Sequence, residues 1–157
     1  MAKQSDKDEI FKAFARELVK IATTREHDRL EAHLKQIAND VGFKTKVKFA
    51  DKTRPDVLRT KGPDRGTLLI ADAKVIPHDV PDNATTSAQI AGYIASFAKE
   101  PRYTSAILAI ATNDKNSAKD WGVALAKWVR QAGLRPSKFE IHFTPSDIWT
   151  VIGGVYR

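Results

Sequence analysis

The segment Thr67-Leu-Leu-Ile-Ala-Asp-Ala-Lys-Val-Ile76 constrains this chain most. It is apolar on both faces except at Asp72 and Lys74, and such a strand belongs inside a sheet covered on both sides. The flanking sequence supplies helices to cover it. Before it, Ile10, Phe14, Leu18 and Ile21 recur at helical spacing. Thr23-Thr24 interrupts that stripe, which restarts at Leu30, Leu34, Ile37 and Val41 and stops at Gly42. Residues 1–24 read as a helical extension and 25–157 as one globular domain, with either one long helix or two joined at the threonines.

After Gly42 the period becomes two. Phe43–Phe49 alternates as a half-buried strand, and Pro55–Arg59 forms a second short strand. The segment 61–66 is a turn or loop, Thr67–Ile76 the third strand and 77–83 another loop. A helix spans about Thr85 to Lys99, capped by Thr86 or Ser87, with Ile90, Ile94 and Phe97 inward. Tyr103–Thr112 is a buried strand. Asn116 or Ser117 caps a further helix that buries Trp121, Leu125 and Trp128 and ends at Gly133. Phe139–Phe143 alternates as a last strand. A short helical turn covers Ser146–Val151, and Gly153-Gly154 is a C-terminal turn. The expected fold is α/β: a mixed sheet in the order helix, three-strand antiparallel meander, helix, strand, helix, strand, flanked by helices.

The chain contains no cysteine, which excludes disulfides, thiolate metal sites and a cysteine nucleophile. Its longest apolar run, near Ala106–Ala111, is too short to span a bilayer. No apolar segment follows the N-terminal methionine, so no membrane partner and a cytoplasmic location are expected. The formal net charge of +7 favours a polyanionic partner without identifying it.

Chemistry is concentrated in Pro55-Asp56 and Asp72-Ala73-Lys74. Residues two apart on a strand share a face, so Asp72 and Lys74 project together. Asp56, on the preceding strand, can lie beside Asp72. Two adjacent carboxylates repel unless a cation sits between them. Hard oxygen donors with room for water suit Mg²⁺, with Mn²⁺ as a substitute. Lys74 beside that cation is suited to position or deprotonate a water, and the cation to polarise a phosphoryl oxygen. The competing reading makes Asp72 and Lys74 the solvated face of an edge strand and Asp56 a turn residue.

Pro55-Asp56, then sixteen residues on Asp72-Ala73-Lys74 at the end of an apolar strand, resembles the PD-(D/E)xK nuclease superfamily. The resemblance covers about residues 30–112. It implies a restriction-endonuclease-like core and DNA hydrolysis, with metal held by Asp56, Asp72 and the Ala73 carbonyl and Lys74 as catalytic lysine. It also implies a glutamate from the first helix, with Glu31 the best candidate and Glu26 the alternative. Gln89 and Tyr93, one helical turn apart, are similar to the QxxxY element of the RecB and phage-exonuclease branch. There the glutamine supports the active site and the tyrosine contributes nearby.

Arg54, Arg59, Lys61 and Arg65 surround the expected site and suit phosphate contacts, and His78 lies just past the motif strand. Lys44, Lys46 and Lys48 alternate on one face, either lining a phosphate backbone or forming the solvated side of an edge strand. His27, His33 and His142 lack metal-ligand spacing and read as ordinary surface residues. The stripe of Ile10–Ile21 suits a homodimer interface or packing on its own domain. The same fold could instead serve as a non-catalytic binding module, or act on RNA.

Overall fold

The computed structural model describes residues 4–62, 66–76 and 79–157. One unbroken helix, α1, runs from Gln4 to Asp40. The threonine pair does not break it, because the Thr24 hydroxyl donates back to the Lys20 carbonyl at 2.9 Å within the helix. Gly42 ends it with φ +94°, a left-handed turn that lets the Phe43 amide reach the Ala38 carbonyl at 2.8 Å.

The first strand is far shorter than its alternation predicts. Only Thr45–Lys46 (β1) pairs with Val57–Thr60 (β2). Phe43 and Phe49 are six apart, so a regular strand would send both to one face. Instead Phe43 joins the core beneath α1 and Phe49 the core on the opposite face, and the backbone leaves the ladder between them.

Strand β3 (Thr67–Lys74) pairs antiparallel with β2 and parallel with β4 (Ser105–Thr112). The crossover between β3 and β4 is helix α2 (Ala84–Ala98). Helix α3 (Lys115–Gln131) leads to β5 (Arg135–Pro136), β6 (Glu140–Thr144) and β7 (Ile148–Tyr156). The sheet order is β1-β2-β3-β4-β7-β5, with β6 also paired to β7. The described residues thus form a mixed open sheet of seven strands with three helices.

Both helix starts lie slightly upstream of the expected caps. Asn83 caps α2 by accepting from the Thr86 amide, and Asp114 caps α3 by accepting from the Ser117 amide. The expected helical turn at Ser146–Val151 and turn at Gly153-Gly154 are replaced by β7. Its inward residues alternate, with Val151 and Val155 on one face and Ile148 and Ile152 on the other. The glycines clear space for rings rather than turning the chain. A Cβ on Gly153 would stand 2.6 Å from the Phe139 ring, and one on Gly154 2.6 Å from the Tyr156 hydroxyl.

Helices α2 and α3 cover one sheet face, burying Ile90, Phe97, Trp121 and Leu125 against Leu68, Ile70, Leu108 and Ile110. The C-terminal half of α1 covers part of the other, burying Leu30, Leu34 and Ala38 against Val57, Leu69 and Ala71. Among the described residues no helix is long and apolar enough to cross a membrane.

Candidate functional site

The alternation of β3 decides where its charges go. Leu68 and Ile70 face α2, and so do Asp72 and Lys74 two and four residues on. Both charged residues are buried, at 3 % and 5 % exposure, where an unpaired charge would be costly. They pair with each other, Lys74 Nζ lying 2.6 Å from Asp72 Oδ2. Lys74 Nζ also donates to Gln89 Oε1 of α2 at 2.8 Å. Two of the three ammonium protons are therefore held in a fixed direction.

The register Val57↔Ala71 carries Asp56 to the end of the ladder beside Asp72. The Asp56 amide donates to Asp72 Oδ1 at 2.7 Å, and Asp56 Oδ2 accepts from the Ala73 amide at 2.8 Å. The amide and carbonyl of one strand residue point to the same side. The Ala73 carbonyl thus leaves the strand on the Asp56 side. Asp56 Oδ1 accepts no hydrogen bond from the described residues.

Burial pushes the Asp72 pKa up to about 7, aided by the charge of Asp56 and opposed by Lys74. Burial, followed by the charges of Asp72 and Asp56, likewise raises the Tyr93 phenol well above its ordinary range. Tyr93 stays a neutral donor and holds the Arg54 carbonyl at 3.1 Å, fixing the turn that presents Asp56. Beyond β3, Asp79 accepts from the Val75 amide at 3.0 Å and Asn113 from the Ile76 amide at 3.1 Å.

The structure thus brings Asp56, Asp72, Ala73, Lys74 and Gln89 together at one end of the sheet. Glu31 is half-buried and engaged by Lys35 at 3.7 Å. It lies with His27 and Asp28 in a group whose ligand atoms are within 4.8 Å of one another. Glu26 is held by Arg29 and Asn113, which lower its pKa. His27, which the sequence left as a surface residue, places Nε2 3.2 Å from Asp56 Oδ2. The signal that could have singled it out is its spacing: His27 and Glu31 are four apart and flank the fully buried Leu30.

A groove of about 340 Å³ opens from Asp56 between α1, β1 and β2, lined by Lys35, Lys46, Lys48 and Arg54 among others. Arg59 also borders it but is only 8 % exposed, with its guanidinium held by the Asn39 side chain and the Phe43 carbonyl. Lys61 lies 5.2 Å over the Phe43 ring. Tyr93 is buried rather than facing the groove. Arg65 and His78 lie outside the described residues.

Two carboxylates, one with an oxygen that accepts no hydrogen bond from the described residues, and the Ala73 carbonyl on the Asp56 side of β3 form a hard-oxygen donor set, of a kind that suits Mg²⁺ better than a soft or nitrogen-preferring metal. Comparison with known proteins finds no matching family model, no matching curated protein and no matching solved structure.

Proposed function

We propose that this chain is a Mg²⁺-dependent deoxyribonuclease of the PD-(D/E)xK type. The observation that carries the reading is the convergence of Asp56, Asp72, Lys74 and Gln89 on one end of β3, beside a lysine-lined groove. The element order adds support, since a helix, an antiparallel meander and a parallel strand reached through a helix are the core of that superfamily.

Asp56, Asp72 and the Ala73 carbonyl would hold the cation, and Mn²⁺ would substitute for Mg²⁺. When bound, the ion supplies charge neutralisation at the scissile phosphate and lowers the pKa of a water. The protein does the rest. The third proton of Lys74 is available to orient the attacking water or a phosphate oxygen, because Asp72 and Gln89 hold the other two. Tyr93 and the Ala73 amide hold Asp56 in place. Lys46, Lys48 and Arg54 give the backbone of a nucleic acid a path of positive charge leading to Asp56.

The test is cleavage of plasmid and linear DNA, with RNA alongside, in Mg²⁺ or Mn²⁺, by the parent protein and by Lys74→Ala. Cleavage by the parent and its loss in the variant is expected. Equal cleavage by both would reject the assignment.

A further inference from the structure

Helix α1 carries two apolar surfaces that point opposite ways. Its C-terminal half buries Leu30, Leu34 and Ala38 against the sheet. Its N-terminal half leaves Ile10, Phe11, Phe14 and Leu18 exposed at 66, 74, 66 and 54 %. Phe14 and Leu30 are sixteen residues apart, about 1,600° at ~100° per residue, which leaves about 160° after four full turns. The helix is continuous from Gln4 to Asp40, so the free stripe faces away from its own sheet. It cannot fold back onto its own domain without breaking the helix.

Among the described residues, a second apolar surface lacks a cover. Beside the buried half of α1, a cavity of about 460 Å³ opens over β4, β6 and β7. Its floor and walls include Ile107, Ala109, Ile152, Thr144 and, from α1, Ile37 and Val41. Helices α2 and α3 cover the other face of these strands, and a sheet face of this kind is ordinarily closed by a helix.

We infer that a second copy of this chain fills the cavity, the free half of α1 in each copy docking on the open sheet face of the other. The two surfaces are complementary in kind, one a convex apolar stripe and the other a concave apolar groove. The polar side of the free half argues against a lipid surface as occupant. Lys7, Lys12, Arg16 and Lys20 are interleaved with Asp8, Glu9 and Glu17, and Lys12 pairs with Glu9 at 3.6 Å. A helix that lies on anionic membranes carries an excess of one sign there. A contact of this kind is isologous and closes as a two-fold dimer. It stands independently of the nuclease reading.

The test is the mass of the 157-residue chain in solution by sedimentation velocity from 1 to 100 µM, together with cross-linking. A dimer is expected for the parent. Monomers with unchanged circular dichroism are expected for Phe14→Glu/Leu18→Glu, whose targets touch no core, and for Ile37→Glu in the groove wall. The chain has no cysteine of its own. A mixture of Phe14→Cys and Thr144→Cys proteins should therefore form a mixed disulfide under mild oxidation. A monomeric parent at 100 µM, a dimer indifferent to both sets of substitutions, or Phe14→Cys linking only to itself would overturn the proposal.

Discussion

Gln89 offers the sharpest separation between a catalytic arrangement and a merely folded one. It is exposed on α2, yet its carbonyl oxygen holds Lys74 Nζ at 2.8 Å. Gln89→Ala removes one of two acceptors from the ammonium and leaves Asp72 as the other. A hydrogen bond to a charged group is worth about 1.5–3 kcal/mol, and the lower part of that range applies at an exposed position. At ~1.36 kcal/mol per tenfold in rate, about 1.5–2 kcal/mol corresponds to a fall in kcat of about 10- to 30-fold. KM should hardly change, because the lysine-lined groove that would bind substrate is untouched. The same bond is present in the folded protein, so stability should also fall, by up to about 1.5–2 kcal/mol, offset in part because alanine suits a helix position. Steady-state kinetics on a labelled oligonucleotide, with thermal melts of the same samples, read all three quantities. Gln89→Glu keeps an acceptor and should lie above Gln89→Ala in kcat. An unchanged kcat in Gln89→Ala, or a loss confined to KM, would refute the positioning role.

Mg²⁺ at ~100 times its Kd should stabilise the parent by about 2.7 kcal/mol, raising Tm by about 5–10 °C in a domain of this size. In Asp72→Asn that rise should vanish, and calorimetry showing equal rises would place the cation elsewhere. Gly153→Ala should cost about 1–3 kcal/mol, because its Cβ would meet the Phe139 ring at 2.6 Å. Gly92→Ala, in α2 with nothing within 4 Å, should instead gain about 0.5–1 kcal/mol. Urea midpoints that failed to move in opposite directions would contradict the packing described for β7. Burial, then the charge of Arg29, lowers the His33 pKa below its ordinary 6.5. A depressed histidine contributes stability that is complete above pH 6.5 and is lost as pH falls toward the lowered value. The unfolding free energy of the parent should therefore drop between pH 7.5 and 5.5 more than that of His33→Gln.

Where the sequence was legible, one residue type at one period decided the outcome. The two-sided apolar run of Thr67–Lys74 became a strand bordered by β2 and β4, and its parity alone put Asp72 beside Lys74. Leu30 and Leu34 became the buried face of α1, but that face continues through Ala38, and the expected Ile37 and Val41 are exposed. Where packing overrode periodicity, the reading failed. Alternation at Phe43–Phe49 looked like a full strand, but its two phenylalanines anchor in opposite cores. Gly153 and Gly154 looked like a turn, because nothing local reveals the Phe139 and Tyr156 rings that need the space. His27 escaped notice because its partner, Asp56, is 29 residues away in sequence. The tie from Arg59 to Asn39 was hidden for the same reason, so a residue expected near phosphate turned out to brace α1 against β2.

The most direct test of the site is where a divalent cation sits. A crystal of the protein soaked in Mn²⁺ reveals it through anomalous scattering. The expected result is one ion about 2.1 Å from oxygens of Asp56 and Asp72 and from the Ala73 carbonyl, with waters completing the octahedron. An ion bound only by His27, Asp28 and Glu31, with the Asp56–Asp72 pair empty at saturating metal, would contradict the proposed chemistry.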